Sequence, residues 1–202
     1  MAQSRRDIEA TPPPGCGTRV RAIVLVGFMG AGKTSVGRAL AQRLNWNFED
    51  LDERIERREQ RTVPEIFRDS GEAEFRRAEH AALLDVLEEL RGGAFKIVAL
   101  GGGAFVQEQN AQLLQASGIP AVFLDAPVEE LWRRCSKQAA EAGVERPLLR
   151  SVDQFRELYE TRRSSYMRAT LNIGTQNRAL DEIAQKLRLE EVEIRAQQGE
   201  VE

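Results

Sequence analysis

The sequence predicts a three-layer α/β domain with a central parallel sheet, and three observations support this. Short apolar runs alternate along the chain with longer segments of helical spacing. The runs Ile23 to Val26 and Ala121 to Leu124 show no polar alternation, which is typical of strands covered on both faces. A glycine-rich segment directly follows the first of these runs. Together these patterns favour parallel strands joined by helices on both faces of the sheet.

The composition is that of one globular domain without a basic footprint. Among the 202 residues, 29 Lys and Arg face 32 Asp and Glu, giving a net charge of −3, and 42% are hydrophobic. A chain of this length buries roughly 70% of its unfolded surface, so it needs no disulfide or structural metal. The sequence has neither the clustered positive charge of a nucleic-acid-binding protein nor the ~18 consecutive apolar residues of a membrane span. We therefore expect a monomeric, cytoplasmic protein with small-molecule partners, no nucleic acid and no membrane.

The two ends of the chain differ in composition from the middle. Residues 1–20 hold three consecutive prolines and few large apolar side chains, which predicts a flexible leader. Residues 191–202 are rich in glutamate and predict an acidic tail. The folded domain is therefore expected over residues 21–190.

Within these limits, apolar spacing predicts the elements in chain order. Strands are expected over residues 22–26, 48–52, 97–100, 121–124 and 171–175. Helical spacing covers residues 35–44, 51–58, 63–68, 78–90, 128–136, 153–168 and 180–195. In this pattern His80 lies on a helix surface, Cys135 lies at a helix end, and Trp46 and Trp132 are packing residues.

The segment from Gly27 to Thr34, which we call the phosphate loop, matches G-x-x-x-x-G-K-[ST] between a predicted strand and a predicted helix. Its glycines let successive N–H groups converge on phosphate oxygens, and the following helix directs its positive N-terminus to the same place. Lys33 would reach the β- and γ-phosphates, and the Thr34 hydroxyl suits Mg²⁺. The loop therefore predicts binding of Mg-ATP, and by itself it also allows GTP. The expected nucleotide-binding residues are Gly30, Ala31, Gly32, Lys33, Thr34 and Ser35.

Two carboxylates follow at the end of the next predicted strand. In an extended segment, Asp50 and Asp52 point to the same side, so both can face the crevice at the carboxyl ends of the strands. One could serve a metal ion and the other the substrate. The alternative is a pair of acids at the start of a helix, where they favour its positive end.

Two further segments are candidates for the acceptor site. Arg76 and Glu79 share a helix face, and the arginine fork suits a carboxylate, although a surface ion pair is the alternative. The triplet Gly101 to Gly103 leaves a predicted buried strand, so it could bring a ligand against bare main chain. A plain loop is the alternative for the triplet.

Taken in order, these residues resemble the shikimate kinase family, small P-loop kinases with a nucleoside-monophosphate-kinase-like fold. The resemblance spans about residues 21–190. Its motifs are the loop ending in Lys33 and Thr34, the pair Asp50 and Asp52, the segment Glu74 to Arg77 with Glu79, the glycine triplet, the segment Arg146 to Leu149, and Arg162 four residues before Tyr166. It implies an α/β/α P-loop kinase fold with a substrate-binding helical segment at about 51–80 and a lid at about 135–150.

The resemblance implies transfer of the γ-phosphate of ATP to the 3-hydroxyl of shikimate. The products would be shikimate 3-phosphate and ADP, on the route to chorismate and the aromatic amino acids. The implied shikimate ligands are Asp52, Arg76, Gly101, Gly102, Gly103 and Arg162. The implied Mg²⁺ ligands are Thr34 and, through water, Asp50. Arginine forks suit the carboxylate of shikimate and a carboxylate suits its hydroxyls, so the residue types agree with this substrate.

Three residues would carry the chemistry that the resemblance implies. Asp52 would position the 3-hydroxyl and could accept its proton, while Lys33, Mg²⁺ and the lid arginine Arg146 would neutralise charge on the transferring group. Because positioning and electrostatics dominate such reactions, we expect direct in-line transfer. The remaining matches shape the two pockets: Arg134 and Arg178 on the adenine side, and Phe67, Phe75 and Glu79 around the substrate.

The sequence departs from the family pattern at three places. The segment between Arg134 and Arg146 is longer than the usual lid. Ser164 stands where the family commonly has proline, which leaves Arg162 and Arg163 as candidates for the second substrate arginine, with the spacing to Tyr166 favouring Arg162. The adenine-side proline after the last strand is also absent, with alanine and leucine there instead.

Two other functions are open at this point. A gluconate-type or adenylate-type kinase would keep the phosphate loop but need other acceptor residues. A non-enzymatic regulator would bind nucleotide and use its lid as a switch. The Asp-x-Asp pair, the arginines and the triplet argue against the first, and the presence of Lys33 and Asp52 argues against the second.

Overall fold

The structure, a computed structural model, describes residues 21–142, 151–176, 178, 182, 183 and 185. The expected leader, the acidic tail and residues 143–150 of the expected lid, with Arg146, lie outside this part of the chain. Searched for a hydrophobic span, the described part yields no helix that could cross a membrane.

Five parallel strands form one sheet in the order β2-β3-β1-β4-β5. Their bounds are Ala22–Val26 for β1, Asn47–Asp50 for β2, Lys96–Ala99 for β3, Ala121–Asp125 for β4 and Leu171–Gly174 for β5. Every residue of β1 and β3 is buried, as expected for strands that are covered on both faces. The predicted α/β class with a parallel sheet is confirmed.

Between residues 33 and 166 of the described chain, six helices and one 3₁₀ turn connect the strands. The helices are α1 (Lys33–Leu44), α2 (Leu51–Glu59), α3 (Val63–Arg91), α4 (Glu108–Ser117), α5 (Val128–Ala142) and α6 (Val152–Tyr166), and the turn is Ala104–Val106. The right-handed rule for β-α-β crossovers puts α1 on one face of the sheet and α3 and α4 on the opposite face, and α3 and α4 contact each other.

The topology opens a crevice between the carboxyl ends of β1 and β3. The chain leaves β1 toward β2 and leaves β3 toward β4, so the two connections run in opposite directions from neighbouring strands. Ligands in open α/β sheets bind at such a switch point. The phosphate loop follows β1 and the glycine triplet follows β3, so both candidate segments lie at this crevice.

The predicted extended geometry of Asp50 and Asp52 is wrong. The strand ends at Asp50, and α2 begins at Leu51, so Asp52 lies in the first turn of a helix. The Asp50 side chain turns the backbone, because its Oδ1 accepts a hydrogen bond from the Asp52 N–H at 3.1 Å. Capping by Asp50 therefore overrides the extended pattern.

The segments predicted as separate helices at 63–68 and 78–90 belong to one element, α3. A capping box starts it, in which the Glu65 carboxylate accepts from the Thr62 N–H at 2.7 Å. Gly71 interrupts its helical backbone with φ 78° and ψ 175°, a conformation that glycine adopts without strain. The element is thus two helices joined at a glycine kink.

Helix α5 is longer than the predicted segment 128–136, since it runs to Ala142. Residues 135–142 of the expected lid are therefore helical. Cys135 is buried in the middle of α5 and not at a helix end, which corrects its predicted position. Of the expected last helix, residues 182, 183 and 185 are described; they are helical, and Ile183 is buried.

A ring of four charged side chains, which we call the anchor ring, ties α2 and α3 to the sheet. Lys96 of β3 donates to Glu49 of β2 and to Glu89 of α3, at 2.6 Å each. Arg54 of α2 donates to the same two carboxylates, at 2.9 and 2.6 Å respectively. Each member thus has two partners of opposite charge, as partly buried ions require.

Candidate active site

The crevice holds a cavity of about 290 Å³ between the phosphate loop and the glycine triplet. Its lining includes both predicted carboxylates and, unexpectedly, Gln138 of α5, whereas Arg76 and Arg162 are not among its lining residues. A larger groove of about 440 Å³ lies between α4 and the segment before β5, and no predicted site residue lines it. The chemistry-bearing residues therefore select the smaller cavity.

Lys33 closes over the phosphate loop. Its Nζ donates to the carbonyl oxygens of Gly27 at 2.8 Å and Phe28 at 3.1 Å. Burial lowers the pKa of Lys33, while the nearby Asp52 and Asp50 carboxylates act to raise it. Gly30 of the loop packs against α5 so closely that a Cβ there would lie 2.8 Å from the Cys135 Sγ.

The predicted metal ligands are Thr34, in the first turn of α1, and Asp50, at the end of β2, and their side chains are in contact. The Thr34 Oγ1 donates to Asp50 Oδ2 at 2.8 Å. One hydroxyl and one carboxylate beside a phosphate-binding loop suit Mg²⁺, which usually keeps several waters and takes its other ligands from phosphate. The donor set therefore fits the expected ion.

Asp52 reaches the crevice from the first turn of α2. Among the described residues, two buried side-chain oxygens have no hydrogen-bond partner, and one of them is Asp52 Oδ1. Burial and the neighbouring Asp50 carboxylate raise the pKa of Asp52 to about 6, although Lys33 opposes the shift. A buried carboxylate with an open acceptor position can receive the hydrogen of a bound hydroxyl group.

The glycine triplet is the point on which the predicted acid and both predicted arginines converge. A Cβ on Gly101 would lie 2.6 Å from Asp52 Oδ1, and one on Gly103 would lie 2.6 Å from the Arg76 guanidinium. A Cβ on Gly102 would lie 3.9 Å from Arg162 Nη1. Each glycine therefore lies beside one of the three side chains, and larger residues at the two outer positions would displace them.

Arg76 forms both a surface ion pair and a buried one. Its Nε and Nη2 donate to Glu72 Oε1 at 3.2 and 3.0 Å, and the Glu72 side chain is 65% exposed. Arg76 Nη1 donates to Glu79 Oε2 at 2.8 Å, and the Glu79 side chain is only 1% exposed. Burial raises the pKa of Glu79, with Arg76 acting against the shift. Glu79 Oε1 is the second buried oxygen without a partner among the described residues. Phe75 lies beneath the guanidinium, 5.2 Å from its Cζ, and packs on Phe67 at a ring distance of 4.5 Å.

The structure distinguishes the two neighbouring arginines of α6. Arg162 Nη1 donates to the Gly102 carbonyl at 3.4 Å, and its Cζ lies 5.9 Å from the centre of the Phe28 ring. Arg163 points elsewhere, because its Nη2 pairs with Asp125 at 3.1 Å. Arg162 is thus the arginine at the triplet, in agreement with its spacing to Tyr166.

The shikimate kinase family model matches residues 29–191. The chain belongs to the shikimate kinase family. It is 39% identical over 169 residues to the shikimate kinase of Bacillus pumilus, covering 82% of this chain and 86% of that one. It is 39% identical over 174 residues to the shikimate kinase of Ruegeria pomeroyi, covering 85% and 84%.

Solved structures of the family agree with this membership. Shikimate kinase from Acinetobacter baumannii in complex with shikimate matches with a TM-score of 0.73 and 36% identity, over 88% of this chain and 96% of that chain. A gluconokinase from Sinorhizobium meliloti matches with a TM-score of 0.55 and 20% identity, which shows a shared fold alone. The predicted family and fold are confirmed.

In this member of the shikimate kinase family, Arg134 joins the phosphate loop to the end of the sheet. Its guanidinium donates to the Gly30 carbonyl at 3.4 Å and to the Thr175 carbonyl at 3.1 Å. Arg178 is exposed, and within the described residues no hydrogen bond or ion pair joins it to the phosphate loop. Ser35 is also exposed, at the start of α1, and Ala31 is buried in the loop.

Sequence reasoning missed the contacts behind the triplet. His80 is half-buried and not a surface residue, since its Nδ1 lies 2.6 Å from Asn110 Oδ1. The Asn110 amide in turn donates to the Ala104 carbonyl at 3.1 Å. These partners are 30 residues apart, so no local pattern could have paired them. The predicted packing roles of Trp46 and Trp132 agree with their ring contacts to Phe95 and Phe155.

Proposed function

We propose that this protein transfers the γ-phosphate of ATP to the 3-hydroxyl of shikimate, giving shikimate 3-phosphate and ADP. The observation that carries the proposal is that Asp52, Arg76 and Arg162 each lie against the glycine triplet, while Asp52, Gly101 and Gly102 line one cavity with Lys33. Membership of the shikimate kinase family supports the same substrate.

Shikimate binds through both ends of its ring. Its carboxylate faces the guanidinium groups of Arg76 and Arg162, whose forked donors match a planar anion, and it takes the place of the exposed Glu72 carboxylate on Arg76. Its hydroxyls face Asp52 and the main chain of the triplet. The Phe67 and Phe75 pair lies beside Arg76 and gives the ring an apolar wall. Binding thus places one hydroxyl at the buried acid while the anionic end is held away from the nucleotide.

Phosphoryl transfer then proceeds in line. The 3-hydroxyl oxygen attacks the γ-phosphorus, the bond from this phosphorus to the β,γ-bridging oxygen breaks, and the hydroxyl proton passes to the Asp52 carboxylate. A base with a pKa of about 6 is ionised at neutral pH and can receive that proton without holding it. The ammonium of Lys33 exchanges its loop carbonyls for phosphate oxygens and offsets their charge.

The nucleotide site is completed by metal ligands, by residues around the adenine and the phosphates, and by a lid cation. Thr34 and, through water, Asp50 would hold Mg²⁺, which would neutralise phosphate charge when bound. Arg134 and Arg178 serve the adenine side, and Gly30 to Ser35 surround the phosphates. Arg146, which lies outside the described residues, serves as the lid cation. The lid covers about residues 135–150, of which 135–142 belong to α5. The substrate-binding segment covers about residues 51–80.

A coupled ADP-release assay with shikimate, gluconate and AMP as acceptors tests the proposal. We expect turnover with shikimate alone, and its absence would end the proposed function. Turnover with gluconate or AMP would assign another kinase of this architecture. ATP binding without turnover on any acceptor would favour a nucleotide-gated regulator. The Asp52→Asn variant serves as the blank for contaminating ATPase activity.

A further inference from the structure

Two side chains of α6 share one carbonyl of the glycine triplet. Arg162 and Tyr166 lie one helical turn apart, so they are on the same face of α6. Arg162 Nη1 donates to the Gly102 oxygen at 3.4 Å, and the Tyr166 hydroxyl donates to the same oxygen at a short distance. A carbonyl oxygen has two lone pairs and can accept both hydrogen bonds.

We infer that Tyr166 is a positioning residue, whose hydroxyl fixes the Gly102 carbonyl and thereby holds Arg162 in place for the shikimate carboxylate. The inference rests on the proposed function and deepens it. Tyr166 does not touch the reacting atoms in this arrangement. It acts through the main chain of the triplet and through the arginine beside it.

The Tyr166 ring is fixed independently of the site. It is fully buried and stacks on Phe123 of β4, with ring centres 5.2 Å apart and an angle of 28° between the planes. The hydroxyl therefore has one position available to it. The hydrogen bond from Arg162 Nη1 to the Gly102 carbonyl, at 3.4 Å, is long for an N–H donor and therefore does little to fix that carbonyl. The position of the shared carbonyl thus depends on Tyr166.

The remaining contacts of Arg162 leave most of its donors for an anion. Its guanidinium lies over the Phe28 ring, an attraction that sets distance but uses no N–H group. Arg162 has five N–H donors, and the triplet accepts one of them, at the Gly102 carbonyl. Burial raises the pKa of Tyr166 to about 12, so the hydroxyl remains a donor at neutral pH.

The same helix supplies a matched control. Tyr159 lies two turns before Tyr166, is buried, and donates its hydroxyl to Asp125 Oδ1 at 2.8 Å. Its ring contacts Phe28 edge-on, at 5.6 Å. Replacing either tyrosine by phenylalanine removes one buried hydroxyl from α6. The Tyr159 hydroxyl also lies 3.4 Å from the Ala126 carbonyl and accepts from Arg163 Nε at 3.2 Å, so its loss is at least as disruptive locally. Only the Tyr166 hydroxyl reaches the triplet.

The test compares Tyr166→Phe with Tyr159→Phe in steady-state assays of the full-length enzyme. Losing the net stabilisation of one hydrogen bond should raise the KM for shikimate about fivefold in Tyr166→Phe. We expect its kcat and KM for ATP, and all three constants of Tyr159→Phe, to change by less than about twofold. Equal KM values for the two variants, or a fall in kcat alone, would overturn the inference.

Two further measurements separate positioning from general loosening of the core. Phe123→Leu removes the stacking partner that fixes the ring but keeps the hydroxyl, so it should lower Tm and raise the KM for shikimate less than Tyr166→Phe does. In a double-mutant cycle, the effects of Tyr166→Phe and Arg162→Lys on this KM should be less than additive, because one acts through the other. Additive effects, or a KM for shikimate in Phe123→Leu as high as in Tyr166→Phe, would contradict the inference. A wild-type enzyme without shikimate turnover would overturn both this inference and the proposed function.

Discussion

Asp52 illustrates, at the scale of single residues, the tension between stability and chemistry in this site. Its Oδ1 is buried without a partner, and desolvation raises its pKa to about 6. In the unfolded chain the same group has a pKa of 3.8. The folded protein therefore binds the proton more tightly, and ionised Asp52 costs stability above pH 6 while it equips the site with a base.

We predict that Asp52→Asn will be nearly inactive and more stable than the wild type. The amide cannot accept the hydroxyl proton, so kcat should fall by about 10²-fold or more while ATP affinity stays near normal. Removing the buried charge should raise Tm by roughly 5 °C at pH 7. Because the folded pKa is the higher one, the gain should shrink as pH falls from about 6 to 4. Steady-state kinetics and thermal unfolding at several pH values measure both effects.

The pH profile of the wild type provides the complementary observation. Protonation of Asp52 should reduce kcat/KM for shikimate as pH falls below about 6. Unchanged turnover in Asp52→Asn would remove this residue from the mechanism. A lower Tm in the variant would show that the carboxylate is stabilised and not strained by its surroundings.

The glycine triplet allows a second prediction, which separates its two outer positions. Alanine at Gly101 would collide with Asp52, so kcat should fall about tenfold or more. Alanine at Gly103 would push away the Arg76 guanidinium, so the KM for shikimate should rise about tenfold. Neither glycine has a left-handed backbone, so the substitutions act through contact and not through backbone strain.

Gly174→Ala is the control for that pair, since a Cβ at the end of β5 meets nothing within 4 Å. We expect it to match the wild type in both constants. If Gly101→Ala and Gly103→Ala change the same constant to the same extent, the triplet does not sort the acid and the arginine as the geometry indicates.

The residue types of the site could be predicted from sequence, but several of their partners could not. The phosphate loop, Asp52, Arg76 and Arg162 each stand in a motif that is short and local. The Tyr166 hydroxyl contacts Gly102 from 64 residues away, and His80 contacts Asn110 from 30 residues away. Such pairs depend on the tertiary fold. Tyr166 entered the sequence argument only as a spacing marker.

At the scale of the elements, the errors arise where one local signal outweighs another. Residues 48–52 have the spacing of a strand end, and the overlapping segment from 51 has the spacing of a helix. Capping by Asp50 decides for the helix, so Asp52 enters the crevice from a helical turn. Gly71 likewise interrupts the helical backbone of α3, with helical residues on both sides of it. This interruption explains why the sequence predicts two separate helices there.

The anchor ring connects the α2 and α3 elements, which carry Asp52 and Arg76, to the strands below them. The Glu89 carboxylate accepts from Arg54 and from Lys96, and these hydrogen bonds lower its pKa to about 2. A depressed carboxylate pKa contributes stability above its unfolded value of 4.5, and this contribution is lost as pH falls toward 2. The loss of stability between pH 4.5 and pH 2 should therefore measure the contribution of the anchor ring.

We predict that Glu89→Gln will be less stable than the wild type by roughly 1–2 kcal/mol at pH 7, a figure discounted for the partial exposure of this side chain. The difference should narrow as pH falls below about 4.5. Urea unfolding at pH 7 and pH 3 measures it. Glu88→Gln is the neighbouring control, since Glu88 pairs with Arg91 at 3.1 Å between side chains that are 76% and 72% exposed. If both variants lose the same free energy of unfolding, the ring does not anchor these helices.

For the whole molecule, periodicity indicates the α/β class but not the order of the strands. The order β2-β3-β1-β4-β5 decides that the loops after β1 and β3 become neighbours, and this neighbourhood assembles the site. Nothing in the apolar runs distinguishes this order from others with the same alternation of strands and helices. Across the molecule, the resemblance to shikimate kinases supplied what periodicity lacked.

The proposed extent of the domain, residues 21–190, gives a prediction for the whole molecule. The Arg21 carbonyl accepts from the Lys96 N–H at 3.0 Å, so the first residue to keep is Arg21. Ile183 is only 2% exposed, so the chain beyond β5 contributes to the core.

We expect a chain of residues 21–190 to equal the full chain in Tm and in kcat. A chain that ends at residue 181 should lose roughly 2 kcal/mol, the value of burying one isoleucine, and melt roughly 5 °C lower. Thermal unfolding of the three chains, with shikimate kinase assays on each, makes the comparison. A lower Tm for residues 21–190 would place stabilising contacts in the leader or the acidic tail, and equal Tm values for all three would mean that Ile183 adds nothing to the core.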